Sequence, residues 1–181
     1  MSRPQAVRTV DIRAEQPGDI DAIRAVIDAA FAPKTHESRI VDRLRGSDRW
    51  IPDLSLVAVD DDGAVVGHCV TSIGDLIGDD DVIRPILALG PIAVTPERQG
   101  EGIGGALLAA SAERATAAGW PIIVLLGHSD YYPRYGYERA SPLGLVAPGD
   151  VPDPAWMALR LPAWSADLRG RMRFAPAFDE A

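Results

Sequence analysis

The sequence predicts an α/β protein with a mixed, mostly antiparallel sheet, one parallel β-α-β crossover, and helices on both faces. Three observations carry this. Residues 54–59 and 64–73 are strand-like runs joined by Asp60-Asp61-Asp62-Gly63, a turn composition, so they form an antiparallel hairpin. Residues 86–126 read as strand, helix, strand, and that connection within one sheet is a right-handed parallel crossover. Ile20, Ile23, Ile27 and Phe31 recur at helical spacing ahead of both. With 181 residues the chain is expected to be a single domain, since domains run to roughly 100–200 residues, with an extended C-terminal segment from about residue 148.

In order, residues 7–13 form the first strand. Pro17-Gly18-Asp19 breaks it, and Asp19 is placed to cap a helix over residues 19–31. A second helix covers 37–45, with Ile40, Val41 and Leu44 inward and Gly46 at its end. The hairpin follows, then a loop over 74–84 that holds Asp79-Asp80-Asp81. Residues 86–94 are nearly all apolar, as in a central strand buried on both faces. Gly90-Pro91 inside that run requires a bulge, because proline cannot donate to a ladder. An alanine- and leucine-rich helix over 102–118 closes at Gly119, and 121–127 is a very apolar strand. Residues 131–137 form a short aromatic, helical segment, and in the tail 144–147, 156–161 and 171–174 have strand character. Trp156, Trp164, Phe174 and Phe178 in that tail need cover, either on the domain itself or at the edge of a homodimer.

Composition removes several function classes. Against 18 basic residues stand 26 acidic ones, for a net charge of −8. Nucleic acid is therefore not an expected partner, because non-specific affinity for it comes from neutralising phosphates. Long-range attraction favours a cationic partner instead. No stretch approaches the ~20 apolar residues of a membrane span, and no apolar signal segment opens the chain. A single cysteine, Cys69, excludes an internal disulfide, and a cytoplasmic location is expected. Metal is not expected either. The cysteine and the three histidines lack zinc-ligand spacing, and the aspartate runs lack the alternation and terminal glutamate of a calcium loop. A Gly-x-Ser-x-Gly nucleophile elbow is absent too.

The chemistry concentrates between Val94 and Gly105, in Val-Thr-Pro-Glu-Arg-Gln-Gly-Glu-Gly-Ile-Gly-Gly. Glycines at a helix start let a backbone approach a ligand closely, and the first-turn N–H groups with the helix dipole favour a phosphate or pyrophosphate. Arg98 can add a charge-assisted contact. A Walker loop requires a lysine that is missing here. Gly100, Gly102 and Gly105 match the dinucleotide spacing Gly-x-Gly-x-x-Gly, which would make the protein a nicotinamide-dependent oxidoreductase. That fingerprint should follow its strand directly, whereas residues 95–99 intervene.

A third reading rests on a resemblance. Val94-x-Pro96 followed by Gln99-x-x-Gly102-x-Gly104 at a helix start resembles the acyl-CoA-binding motif of the GNAT superfamily, the GCN5-related N-acetyltransferases. Tyr132-Pro133-Arg134-Tyr135-Gly136-Tyr137 resembles that superfamily's Tyr-x-x-x-Gly-Phe element. Together with Leu89-Gly90-Pro91-Ile92-Ala93-Val94 and Gly127-His128, these segments are similar to a bacterial branch of predicted acetyltransferases. The resemblance spans about residues 7–147 and implies an N-acetyltransferase. Acetyl-CoA would be its co-substrate and a small-molecule or peptide amine its acceptor.

The resemblance also assigns roles. Ile92, Ala93 and Val94 would lie beside the pantetheine arm, with an N–H near Ile92 toward the thioester carbonyl. Arg98, Gln99, Gly100, Glu101, Gly102, Ile103, Gly104 and Gly105 would hold the pyrophosphate. Tyr132 would be the general acid to the departing thiolate, while Tyr135 and Tyr137 would pack. Many relatives carry a glutamate on the bulged strand, where this chain reads Ile86-Leu87-Ala88-Leu89. The candidate bases are then His68, Asp75, His128, Glu37 or a water relay. The missing glutamate also motivates an alternative, a non-catalytic acyl-CoA-binding sensor or partner domain. His68 and Cys69 alternate on one strand and so face opposite ways, which rules out a Cys-His dyad.

Overall fold

The computed structural model describes residues 9–34 and 36–179. Its elements are β1 (Val10–Ala14), α1 (Ile20–Phe31), α2 (His36–Arg45), β2 (Ser55–Asp60), β3 (Val65–Ile77), β4 (Ile83–Val94), α3 (Ile103–Ala117), β5 (Ile122–Leu126), β6 (Glu138–Arg139), β7 (Leu145–Val146), β8 (Trp156–Arg160) and β9 (Gly170–Arg173). The sheet runs β1-β2-β3-β4-β5-β8-β6, with β9 joined to β3 and β7. Antiparallel pairing dominates; β4 and β5 are parallel across α3, and a two-residue parallel ladder joins β7 to β9.

Period-two alternation sets the layers. Leu87 and Leu89 of β4 pack with Leu107 and Leu108 of α3 on one face. Ile86 and Ala88 point the other way, into a cluster with Leu76, Trp156 and Met172 supplied largely by the tail. On that second face, α1 contributes Ile23, Val26 and Ile27, and α2 contributes Ile40, Val41 and Leu44. Each such side chain taken fully from water is worth about 1.5–3 kcal/mol. The tail aromatics pack on the domain. Trp156 is buried and donates its Nε1 to the Leu145 carbonyl at 2.9 Å, Phe174 lies against both Trp156 and Phe178, and Arg160 stacks over Trp164.

Several boundaries differ from the sequence reading. The expected loop over 74–84 is mostly strand, since β3 runs on to Ile77 and β4 starts at Ile83. Two causes are visible. Asp75 is neutralised inside the sheet by Arg49 at 2.6 Å and Arg173 at 2.8 Å. Gly74 leaves the room that Met172 of β9 occupies, and β9 pairs with residues 75–77. Only the tip is a turn, where Asp80 takes the Val82 N–H and the Arg84 guanidinium. Asp19 closes a 3-10 turn rather than capping α1 with its side chain, which instead accepts from Gln16 N–H and Arg13. The two-residue strand β6 was not foreseen. Residues 7 and 8 of the expected first strand lie outside the described residues.

One irregularity positions the site. In the β3–β4 ladder Thr71 pairs with Leu89 but Cys69 with Ile92, so β4 takes three steps against two on β3. The extra residue falls at Gly90-Pro91, with Gly90 at φ +145°. β4 and β5 pair only at Leu87–Ile123 and Ala88–Val124. Beyond that point β4 continues to Val94 without β5, and a wedge opens between them.

Candidate active site

The wedge holds a cavity of about 520 Å³ bounded by the end of β4, the glycine loop, the start of α3 and residues 128–135. Thr95 donates its N–H to Val66 of β3 at 2.9 Å. By antiparallel alternation Ala93 also turns its backbone polar groups to β3, so those of Ile92 and Val94 face the wedge. The Val94 carbonyl accepts the Gln99 side-chain amide at 3.1 Å. After a 3-10 turn at Pro96–Arg98, Gly100 and Gly102 adopt φ +80° and +84°, a region that favours glycine. Nothing lies within 4 Å of where their Cβ atoms would be, so the loop backbone stands open. The first helical bond of α3 runs from Ala106 N–H to Gly102, leaving the N–H groups of residues 103–105 without helical acceptors.

Every residue expected at the cofactor lines this cavity except Glu101 and Gly105. Glu101 instead accepts from Arg98 Nε at 2.7 Å. Gly105 is buried beneath Tyr135, whose ring lies 2.5 Å from the position of a Cβ there. Arg98 is itself buried between two carboxylates, with Nη1 3.6 Å from Asp60 and Nε 2.7 Å from Glu101; neither Nη atom makes a hydrogen bond among the described residues.

The aromatic turn adds residues that the sequence reading assigned to packing or left aside. Tyr131 and Tyr135 line the cavity, with the Tyr131 hydroxyl resting over Gly104. Exposed Arg134 also lines it, stacked over Tyr131. Tyr135 is thus a wall residue, whereas Tyr137 is a core residue. The usable signal was two adjacent small residues, Gly104 and Gly105, which leave room for large neighbours.

Tyr132 is buried, its ring in T-shaped contact with Tyr131 and Tyr137 and packed against Gly127. Burial pushes its phenol up to about 12. A second cavity of about 410 Å³ lies on its other side and shares Ile92, His128 and Tyr132 with the first. Its walls include Phe31, Ile40, Phe174 and Phe178, together with Glu37.

The four candidate bases separate by position. Glu37 and His128 line the second cavity. Asp75 lines neither cavity and is held by its two arginines. His68 lines neither and is fully buried, its Nε2 3.0 Å from Ser55 Oγ and 3.3 Å from Glu15. Cys69 faces α3 across the sheet, its thiol pushed up to about 12 by burial.

This Glu15–Ser55–His68 group, closed by Arg45 at 2.6 Å, is a structural network with a pH signature. Burial holds His68 below its ordinary pKa despite the Glu15 hydrogen bond. Burial alone would raise Glu15, but hydrogen bonds from His68, Arg45 and Ser55 hold it at about 2. Above ~6.5 His68 is neutral in both states; below that, only the unfolded chain gains the proton, so stability falls with pH. Glu15 adds its share above ~4.5 and loses it as pH drops toward 2, in all about 3 kcal/mol. Melting temperature should therefore fall from pH 7 to pH 5 and again below 4.5. A double variant Glu15→Gln, His68→Gln should flatten the first step and reduce the second, which Asp19, Asp75 and Asp80 share, and a wild-type melting temperature constant over this range would contradict the assignment.

Residues 11–140 match the acetyltransferase (GNAT) domain family. The chain belongs to the GNAT acetyltransferase family. It is 36% identical over 162 residues to the uncharacterized N-acetyltransferase YjhQ of Escherichia coli K12, covering 87% of each chain. It is also similar to the GNAT family N-acetyltransferase YhbS of Escherichia coli, solved in complex with CoA, with a TM-score of 0.85 and 26% identity over 99% of this chain and 96% of that one. A GNAT family acetyltransferase from Brucella melitensis, solved with acetyl-CoA, gives a TM-score of 0.76 and 34% identity over 94% and 98% of the two chains. In this GNAT chain the strand segment from Ile86 to Leu89 is wholly apolar and buried. Among the described residues no group of His, Cys, Asp or Glu is arranged to hold a metal ion, and no helix is long and apolar enough to cross a membrane.

Proposed function

We propose that this protein transfers an acetyl group from acetyl-CoA to a primary amine, on a small molecule or a peptide, by direct attack within a ternary complex. The observation that carries the reading is the position of Tyr132 on the wall shared by two adjoining cavities. The first cavity suits a nucleotide thioester. The open backbone at Gly100 and Gly102 and the unused N–H groups at the start of α3 suit a pyrophosphate, with exposed Arg134 adding positive charge, while the charge of Arg98 is met by Asp60 and Glu101. The wedge-facing polar groups of Ile92 and Val94 suit the amides of a pantetheine arm, which would lie along β4 where β5 has departed.

The thioester supplies the acetyl group: a C–N bond forms as the C–S bond breaks. Ile92 N–H stabilises the negative charge that develops on the carbonyl oxygen. Tyr132 donates its proton to the departing sulfur and is reprotonated from the nitrogen as the amide forms. A thiolate in the same dry surroundings is raised as well, which favours its protonation by the phenol. The other ammonium proton leaves before attack, through water at the exposed His128.

The test is a thermal-shift titration with acetyl-CoA, CoA and NAD⁺, followed by a thiol-release assay over a panel of amines. At a hundredfold excess over its dissociation constant a ligand stabilises by about 2.7 kcal/mol, which raises the melting temperature by about 5–10 °C for a chain of this size. CoA species should shift the melt and NAD⁺ should not, and thiol should appear only with an amine present. CoA binding without thiol release would favour a sensor domain, and a shift with NAD⁺ alone would overturn the reading of the glycine loop.

A further inference from the structure

The second cavity has a composition unlike a general amine site. Its walls are the rings of Phe31, Phe174 and Phe178 with Ile40, Leu126 and Pro91. Among its lining residues the one carboxylate is Glu37, and the one other titratable group besides Tyr132 is His128. Glu37 Oε1 is 3.0 Å from His36 Nε2, while Oε2 is shielded from water and has no hydrogen-bond partner among the described residues. An unpaired carboxylate oxygen in an apolar wall costs free energy unless a donor arrives with a ligand.

Resting on the acetyl-transfer reading above, we infer that the acceptor is an apolar primary amine, an alkyl or arylalkyl ammonium. Its hydrocarbon body fills the phenylalanine-walled cavity, and Glu37 binds its ammonium. Three features agree on this occupant. The Phe174 and Phe178 rings pack on each other at 5.4 Å in a tilted pair, so they present one continuous aromatic wall to the cavity. Helix α2 fixes Glu37 beside this wall, since Ile40 and Val41 anchor the helix in the core. His128 and Tyr132 lie on the wall toward the thioester cavity, so an amine held here has its nitrogen on the side where the acetyl group is delivered. The net charge of −8 adds a long-range pull on any cation. Polyamines and hydroxylated amines fit poorly, because their further polar groups would meet hydrocarbon without partners.

The test reads binding apart from turnover. The CoA-bound protein and the ligand-free protein are each titrated calorimetrically with 2-phenylethylamine and with 2-phenylethanol, which has the same body without the charge. The amine should bind at least about tenfold tighter than the alcohol. Glu37→Gln should bring the two within about twofold while leaving CoA affinity and melting temperature unchanged. In the thiol-release assay the same variant should lower kcat/KM for 2-phenylethylamine by about 10–100-fold, chiefly through KM. Equal binding of amine and alcohol by the wild type would overturn the inference. So would an unchanged preference in Glu37→Gln, or better use of spermidine or ethanolamine than of 2-phenylethylamine. Failure to bind CoA, or CoA binding without thiol release, strikes the acetyl-transfer reading instead. The amine–alcohol comparison still reads the cavity in that case.

Discussion

Tyr132→Phe should lower the chemical step by about 10²–10⁴-fold, the usual contribution of a positioned acid, while acetyl-CoA affinity stays within about twofold. The variant is clean because the ring carries the packing. Its centroid lies 5.1 Å from that of Tyr131 and 5.7 Å from that of Tyr137, both in T-shaped pairs, and the ring packs on Gly127. Phenylalanine keeps these contacts and removes one hydroxyl. With the phenol at about 12, the group is protonated over the whole working range, so the loss should not vary between pH 6 and 9. Single-turnover acetyl transfer at saturating amine isolates the step. Wild-type rates there would remove Tyr132 from the chemistry and leave it as a wall residue.

The second large effect concerns the loop. Gly102→Val should weaken acetyl-CoA binding by about tenfold or more, with a smaller change in kcat at saturation. Gly102 sits at φ +84° directly before α3, where an L-residue costs about 1–2 kcal/mol and a β-branched one is a marked outlier. A Cβ there has open space, so the penalty comes from the backbone and not from a clash. The chain either keeps the strain or turns its N–H groups away from the cavity, and 1.4 kcal/mol corresponds to a factor of ten in affinity. Gly119→Val is the control. Gly119 has φ +80° and the same open surroundings just past the other end of α3, and it lines neither cavity. It should lose stability without losing affinity. Equal affinity loss in both variants, or none in Gly102→Val, would show that the loop geometry does not serve the ligand.

Much of this frame was legible before any coordinates. The β2–β3 turn, the bulge at Gly90-Pro91 and the glycine-rich start of α3 are written in residues a few positions apart, where φ preference, hydrogen-bond capacity and apolar period act locally. Tyr132 was legible through a motif at matching distance. The extension of β3 and β4 was not, because Asp79-Asp80-Asp81 and Gly74 are locally turn-like. What makes strand of Gly74 and Asp75 is β9, about a hundred residues later, with Arg173 and Met172.

The candidate bases divide in the same way. In sequence, His68, Asp75, His128 and Glu37 are four equivalent groups able to take a proton. The folded chain commits Asp75 to two arginines and shuts His68 beneath α1 and α2, while Glu37 and His128 line a cavity. The tail aromatics could cover the domain or a partner, and Phe174 and Phe178 became cavity walls only through packing against Trp156 and α2. By itself, the sequence determined the order of the main elements, the position of the bulge and the glycine-rich loop, because each depends on neighbours in the chain. Tertiary structure decided which titratable groups are neutralised and which face a cavity. Burial and charge pairing depend on residues that only the fold brings together.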